Sequence, residues 1–213
     1  IVASLVGSEM CIRDRDIDIL VGTQMLTKGL DFRYVKLVGV LNADQLINFP
    51  DFRSHERSFQ LLQQVSGRAG RRDVRGQVLI QSFNPNHNVL QQVSTNDYHK
   101  MFEEQTYQRR IYKYPPYYRL IKITLKHKDY NRVNEGADWL KTALYQVFKD
   151  HVLGPEFPPV PRIRNLFHKN ILIKIPKEQS LEKTKLVLSK IKNSFLMTKA
   201  FRSVRVVLNV DNY

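Results

Sequence analysis

The sequence predicts an α/β protein in two parts: a parallel sheet with helices, then a small α+β unit of order β-α-β-β-α-β. Three observations predict this. Apolar, β-branched runs alternate with a helical segment in the first part, the pair Pro115-Pro116 interrupts the chain, and two further strand–helix alternations follow. Proline cannot continue a helix, and it favours an extended backbone conformation in the residue before it. We therefore place the domain boundary at this pair, between residues 16–113 and 114–213.

The first part is predicted to contain three strands and a helix between the second and third. Apolar, β-branched runs are typical of buried parallel strands, and they occur at residues 16–22, 36–44 and 76–83. The helix is predicted to have Ser54 as its N-cap, and its apolar positions recur at three-residue spacing: Phe59, Leu62 and Val65. Residues 86–112 then form a polar segment with a helical pattern.

The second part alternates strands with two amphipathic helices. Strands are predicted at residues 118–127, 152–153, 169–175 and 203–211. The apolar face of the first helix comprises Val133, Ala137, Leu140, Leu144 and Val147. The second helix carries Leu181, Thr184, Leu188, Ile191 and Phe195 at helical spacing. This order predicts a split βαβ, or ferredoxin-like, unit.

The net charge of +14 over 213 residues indicates a polyanionic partner, nucleic acid first and an anionic membrane surface second. Residues 117–213 carry +11 of it, so the contact surface is expected there, although a solvated lysine-rich surface is the alternative. The sequence has no apolar run of about 18 residues that could span a bilayer. The single cysteine cannot form an internal disulfide, which favours a reducing, cytoplasmic setting.

The first fifteen residues, IVASLVGSEMCIRDR, are expected to be a non-native leader. They begin without methionine, they do not have the basic and apolar regions of a signal peptide, and they resemble a translated sequencing adapter. A genuine extra strand is the alternative. We draw no functional prediction from Cys11.

An arginine-glycine motif follows the predicted helix: Gln64-x-x-Gly67-Arg68-x-Gly70-Arg71. Glycines permit tight backbone turns, and the forked guanidinium group of arginine matches the oxygens of a phosphate. In nucleoside-triphosphate motors, such an arginine stabilises the charge that develops on the γ-phosphate during transfer. A basic loop facing solvent is the alternative, and the motif alone leaves both interpretations open.

Several segments in this order resemble a known family. Residues 21–32 (VGTQMLTKGLDF) and the arginine-glycine motif resemble motifs V and VI in the second RecA-like lobe of superfamily 2 helicases. With residues 50–53 (PDFR) between them and residues 114–116 (YPP) after them, the chain resembles the PriA (primosomal protein N′) family of replication-restart helicases. The resemblance covers residues 16–213, and it implies that residues 16–113 are the C-terminal part of the second helicase lobe.

The resemblance implies an ATP-dependent 3′-to-5′ DNA helicase that recognises stalled or branched replication forks and initiates primosome assembly. Arg71 would be the arginine finger on the γ-phosphate, with Arg68 beside it. Gln64 would help to organise the nucleotide, Gly29 would belong to the same site, and Asp31 would approach the ribose or the finger arginines. A helix-surface position for Gln64 and a capped turn for Asp31 are the structural alternatives.

In the resembled family, residues that precede the arginine-glycine motif also meet DNA. Thr23, with the turn at Gly29, would contact the DNA backbone through hydroxyl and N–H groups, which fixes register without reading sequence. The alternative for Thr23 is the cap of a strand end.

The chain has neither a G-x-x-x-x-G-K-[ST] phosphate loop nor a helicase-type acidic Mg²⁺ motif. Both belong to the first lobe in the resembled family, so ATP and Mg²⁺ are expected cofactors of the complete protein, and this chain alone is expected to be inactive. The cysteine-rich zinc insertion of the family is also expected upstream, so Zn²⁺ is predicted there and no metal site is predicted here.

The resemblance makes residues 114–213 a DNA-binding domain. Lysines and arginines on its strands and turns are predicted to form one phosphate-contacting face for branched and single-stranded DNA: Lys122, Lys126, Arg162, Arg164, Lys169 and Lys174. Tyrosines and arginines also alternate between residues 107 and 119, which suits either base stacking or packing of the two domains.

Protein partners are implied by the same resemblance: single-stranded-DNA-binding protein and the primosome loading proteins. The family's pocket for the tail of single-stranded-DNA-binding protein uses basic and amide side chains, and Lys177 and Gln179 stand in that region with Glu178 between them. Two alternatives to a motor are a fork-binding primosome scaffold and another superfamily 2 translocase. Intact Arg68 and Arg71 favour the motor.

Overall fold

A computed structural model describes residues 19–23, 35–67, 69 and 76–211 of the chain. The chain divides into two units, residues 1–107 and 108–213. Each unit has its own cluster of buried apolar side chains, so each is described by itself.

The first unit is built on a pair of parallel strands. β1 (Leu37–Val40) pairs in parallel with β2 (Gln77–Ile80). The chain between them forms the helices α1 (Asp44–Ile47) and α2 (Ser54–Ser66), because a parallel pair needs a long crossover connection. The prediction of parallel strands connected through a helix is therefore confirmed for β1 and β2.

Two further helices follow β2 in the region predicted to be helical and polar. They are α3 (Asn88–Thr95) and α4 (Tyr98–Ile111). Asn96 separates them, because its φ of 54° lies in the left-handed region that commonly ends a helix. The core between helices and strands consists of Ala43, Ile47, Phe59, Leu62, Val89, Leu90, Val93 and Met101.

Within the described residues, each strand of this unit buries one face only, whereas fully buried strands were predicted. Leu37 is 55% exposed and Leu79 is 61% exposed, whereas Val40 and Ile80 pack against the core. An apolar, β-branched composition indicates that a segment forms a strand. It does not indicate whether other elements cover both faces of that strand. The described part of the first predicted strand, residues 19–22, has no regular secondary structure.

The start of α2 also differs from the prediction. Ser54 is the first helical residue, and Arg53 occupies the N-cap position without a side-chain cap. Asp51 supplies the local hydrogen bonds instead: its carboxylate accepts one from the Arg53 N–H at 2.9 Å and one from the Arg57 guanidinium at 2.8 Å. An acidic residue can thus order the first turn from outside the helix, and the predicted cap was one residue late.

The second unit is an antiparallel sheet covered by helices. Its elements are β3 (Tyr118–His127), α5 (Tyr130–Phe148), β4 (Val152–Glu156), β5 (Arg162–Ile163), β6 (Leu166–Pro176), α6 (Leu181–Met197) and β7 (Arg205–Val210). The strands lie in the order β4-β6-β3-β7, the short β5 pairs with β6, and these pairs are antiparallel. The β-α-β-β-α-β order predicted for this part is confirmed, with β5 as an addition.

The core of the second unit lies between the sheet and its helices. The sheet contributes Ile121, Ile123, Leu125, Ile171, Ile173 and Ile175. Val133, Ala137, Leu140 and Leu144 of α5 are buried as predicted, but Val147 is 52% exposed. Phe148 takes the last buried position, because it follows Leu144 by four residues and lies nearer the same face of the helix.

Candidate nucleic-acid interface

The sheet of the second unit has one face under the helices and an opposite, open face. Successive side chains of a strand point to opposite faces. Since Ile121, Ile123 and Leu125 face the core, Lys122 and Lys126 lie on the open face, four residues apart along β3. Both side chains are half-buried along their length, so β3 presents two lysines at fixed spacing.

The strands on either side of β3 extend this cationic row. Lys126 lies opposite His168 on β6 and opposite the exposed Arg205 on β7, and Lys122 lies opposite Asn209. Residues directly opposite in antiparallel strands have Cβ atoms about 4.5–5.5 Å apart. Burial, and then the charge of Lys126, hold the pKa of the His168 imidazole below its ordinary value.

A buried hydrogen bond fixes the strands between the two lysines. The Thr124 hydroxyl donates to Asn170 Oδ1 at 2.9 Å, and both residues are buried. A satisfied polar pair in a low-dielectric environment rigidifies the backbone that carries it. Lys122 and Lys126 therefore project from a fixed frame rather than from a loop.

Lys174 points to the open side of the sheet but is buried, which corrects its predicted place on a phosphate-contacting surface. Its exposed fraction is 7%. Its Nζ donates to the Tyr112 carbonyl at 2.6 Å and lies 3.7 Å from the centre of the Tyr114 ring. Burial, and then the charge of Lys113, lower its pKa. The ammonium group of Lys174 holds the segment before β3 against the sheet. In this position the ammonium group does not face solvent.

Replacing Lys174 by glutamine is expected to destabilise the second unit by about 1–3 kcal/mol, because the Tyr112 carbonyl loses a charge-assisted hydrogen bond. Affinity for DNA is expected to stay unchanged. Urea unfolding followed by the fluorescence of Trp139, the single tryptophan, measures the first, and fluorescence anisotropy of labelled DNA measures the second. Unchanged stability with a large loss of DNA affinity would restore the original prediction.

Lys169 lies on the other side of the sheet, since it pairs with Leu125 of the core face. Its Nζ bonds to Asn134 Oδ1 on α5 and lies 5.0 Å from the centre of the Phe157 ring. The prediction of one face for all six cations is therefore wrong. Lys169 and Lys174 are five residues apart on one strand, and an odd separation sends side chains to opposite faces.

Arg162 and Arg164 lie at the hairpin between β5 and β6, and both are exposed. The guanidinium carbon of Arg162 is 5.1 Å from the centre of the Phe167 ring, and the group also bonds to Asn165 Oδ1. Arg162 pairs with Phe167, whose side chain packs on the helix side of the sheet, so this arginine lies on the face opposite the row formed by Lys122 and Lys126.

The residues predicted for the nucleotide site all belong to the first unit, and among them only Gln64 lies within the described residues. Gln64 is exposed near the end of α2, and Gly67 follows the helix with a φ of −66°. Thr23 is exposed and has no regular secondary structure. Four residues lie outside the described ranges, so their roles stay predictions: Arg68, Arg71, Gly29 and Asp31.

Arg205 belongs to the cationic row but was not predicted. In SVRVVLNVD it alternates with the apolar Val204 and Val206, and this parity was the available signal. Its position opposite Lys126 follows from the register between β7 and β3, which the sequence does not give.

Among the described residues, no group of three or more His, Cys, Asp or Glu side chains is arranged to hold a metal ion. Within the same ranges, no helix combines the length and the apolar character needed to cross a bilayer. Neither finding bears on the Mg²⁺ and Zn²⁺ predicted for the complete protein.

Fold and surface together define a small, basic α/β domain of ferredoxin-like topology, preceded by a unit with a parallel strand pair. A family model described as the primosomal protein N C-terminal domain matches residues 110–213. The chain belongs to the PriA replication-restart family.

Three relatives illustrate the similarity, each called replication restart protein PriA. That of Bacillus subtilis (strain 168) is 43% identical over 168 residues, covering 77% of this chain and 21% of the relative. That of Synechocystis is 43% identical over 161 residues, covering 75% and 19%. That of Chlamydia pneumoniae is 32% identical over 198 residues, covering 91% and 25%. The chain thus spans about a fifth to a quarter of the length of these relatives.

Proposed function

We propose that the complete protein is an ATP-dependent 3′-to-5′ superfamily 2 DNA helicase that recognises stalled or branched replication forks and initiates primosome assembly. Residues 114–213 supply a DNA-binding domain, and residues 16–113 are the C-terminal part of the second RecA-like lobe. The names of the relatives support the role in replication restart. The arginine-glycine motif at Arg68 and Arg71 supports the motor.

The observation that carries DNA binding is the row of cations on the open face. Lys122, Lys126 and Arg205 lie on two adjacent strands within a segment of net charge +11. Lysine and arginine on a rigid sheet neutralise backbone phosphates and thereby release counterions, which gives affinity that tolerates any base sequence. A protein that recognises the shape of a fork needs this tolerance, because the sequence at a stalled fork is arbitrary.

The proposed cofactors and protein partners belong to the complete protein. ATP and Mg²⁺ act in the complete protein, where Gln64, exposed near the end of α2, would help to organise the nucleotide. Zn²⁺ belongs to a segment upstream of this chain, and this chain alone does not hydrolyse ATP. Single-stranded-DNA-binding protein and the primosome loading proteins are the proposed protein partners, and the cytoplasm is the proposed location.

The double variant Lys122→Gln/Lys126→Gln tests the open face in the full chain. We expect affinity for forked DNA to fall about ten-fold at about 100 mM salt, and the slope of log affinity against log salt to become shallower by about 2. Fluorescence anisotropy over a salt series measures both quantities. Affinity for forks of different base composition should stay equal.

A charge-matched control separates a local contact from net charge. Lys183→Gln/Lys190→Gln removes two exposed lysines from α6 and changes the net charge equally. We expect this control to retain the slope of the unaltered chain. Equal losses in both double variants would show that the open face is not the interface.

A further inference from the structure

Three aromatic rings meet at one end of the sheet in the second unit, and we call them the aromatic corner: Tyr130, Phe157 and Phe167. Tyr130 is the first residue of α5, Phe157 follows β4, and Phe167 is in β6. The rings of Tyr130 and Phe157 are parallel to within 5°, with centroids 5.5 Å apart. The ring of Phe167 is nearly perpendicular to that of Tyr130, at 79°, with the centroids 5.5 Å apart. The three rings thus hold one another in a fixed arrangement.

The aromatic corner stays open to solvent on the Tyr130 side. Tyr130 is 50% exposed, although it contacts two other rings. Phe157 and Phe167 are half-buried beneath it and pack against the core of the unit. The arrangement is a supported platform whose outer ring, Tyr130, presents half of its surface to solvent.

Cations surround this platform. Lys169 Nζ lies 5.0 Å from the centre of the Phe157 ring, and the guanidinium carbon of Arg162 lies 5.1 Å from that of Phe167. Both separations are within the roughly 6 Å over which cations and rings attract. Arg164 is exposed two residues further along the same hairpin. Exposed aromatic surface beside fixed cations is the combination that binds single-stranded nucleic acid, by base stacking and phosphate contact.

We propose that the aromatic corner binds an unpaired base of single-stranded DNA. The base stacks on Tyr130, and the adjoining phosphates contact Arg162 and Arg164. The inference rests on the proposed DNA-binding function and adds to it a contact for single strands, separate from the row formed by Lys122 and Lys126.

The charges around Tyr130 indicate on which side of the ring the backbone of the bound strand runs. The N-terminus of α5 is not available to a phosphate, because the Asp129 carboxylate already accepts the Arg132 N–H there at 3.0 Å. Asp129 would also repel a phosphate brought close to it. The backbone of the strand therefore runs on the hairpin side of Tyr130, and the base covers the ring.

Tyr130→Ala in the full chain is the test, with a fluorescein-labelled dT oligonucleotide and a blunt duplex as the two probes. We expect affinity for the oligonucleotide to fall about ten-fold, within the range for loss of one stacked base, and affinity for the duplex to stay unchanged. Tyr130→Phe keeps the ring and is expected to bind the oligonucleotide as the unaltered chain does. Quenching of a 2-aminopurine base in the oligonucleotide should disappear in Tyr130→Ala and persist in Tyr130→Phe.

Tyr145 offers a matched control, because it is 47% exposed on the same helix and its hydroxyl bonds to Asp150 at 3.2 Å. We expect Tyr145→Ala to leave affinity for the oligonucleotide unchanged. If Tyr130→Ala does not fold, Tyr130→Leu keeps apolar packing without an aromatic face and is expected to show the same ten-fold loss.

The outcomes separate this inference from the proposed function. Retained oligonucleotide affinity in folded Tyr130→Ala or Tyr130→Leu, with the duplex still bound, overturns the aromatic corner alone. Failure of the unaltered chain to bind either probe overturns the proposed DNA-binding function as well. A loss of oligonucleotide affinity equal in Tyr130→Ala and Tyr145→Ala also overturns the inference.

Discussion

Replacing Arg71 by alanine in the complete protein is expected to lower DNA-stimulated ATP hydrolysis by about 10³- to 10⁵-fold. The proposed arginine finger stabilises negative charge that develops on the γ-phosphate oxygens in the transition state. Alanine provides no charge there, so the loss falls on kcat, and affinity for DNA is expected to be retained. Steady-state hydrolysis with saturating forked DNA measures the rate, and fluorescence anisotropy measures binding.

Arg110→Ala is the charge-matched control, because Arg110 is an exposed arginine in the last turn of α4. We expect this variant to hydrolyse ATP at the rate of the unaltered protein. Hydrolysis that is indifferent to Arg71 would leave the arginine-glycine motif as a basic loop, and the scaffold alternative would then be favoured.

Replacing Gly154 by alanine is expected to lower the free energy of unfolding of the second unit by about 3 kcal/mol. Gly154 lies in β4 with a φ of +92°, a conformation that side chains with a Cβ rarely adopt. An added Cβ would also lie 2.9 Å from the backbone carbonyl oxygen of Asn170, and a strand backbone cannot move aside cheaply. Urea unfolding followed by Trp139 fluorescence measures the change, since Trp139 packs against the core of this unit.

The adjacent position provides the comparison for Gly154. Leu153 lies on the same strand and is 45% exposed, so Leu153→Ala is expected to cost about 1 kcal/mol or less. If Gly154→Ala were no more destabilising than Leu153→Ala, the strained backbone at Gly154 would not be required by the fold.

The element order of the second unit was predictable because its periodicities are strong. The alternation of Ile121, Ile123 and Leu125 marks the core face of β3, and helical spacing marks Val133 and Ala137 on α5. The observed sheet order, β4-β6-β3-β7, agrees with the ferredoxin-like topology predicted from the β-α-β-β-α-β pattern. Long segments with a clear period carry this information locally, so no knowledge of their partners is needed.

Burial by distant partners was not predictable in the same way. Lys174 looks like any strand lysine, and only the fold brings the Tyr112 carbonyl and the Tyr114 ring over it. The second faces of β1 and β2 are a similar case, since apolar composition did not show that Leu37 and Leu79 would be exposed. In each instance, burial depends on segments that are far away in sequence.

The face on which a strand cation lies can be predicted from alternation, whereas its neighbour on the next strand cannot. Lys169 and Lys174 are five positions apart on one strand, so alternation alone excludes a shared face. Arg205 becomes a neighbour of Lys126 only through the register of β7 against β3. The aromatic corner likewise joins three segments that are 10 to 37 residues apart in sequence, from Tyr130 to Phe157 and Phe167.

The central claim is that the complete protein couples ATP hydrolysis to forked DNA. The most direct measurement is the steady-state hydrolysis rate of the complete protein without DNA, with blunt duplex and with a fork that carries a single-stranded arm. We predict the highest rate with the fork and a low rate without DNA. The same rate in all three conditions, or no hydrolysis alongside tight binding of the fork, would contradict the claim.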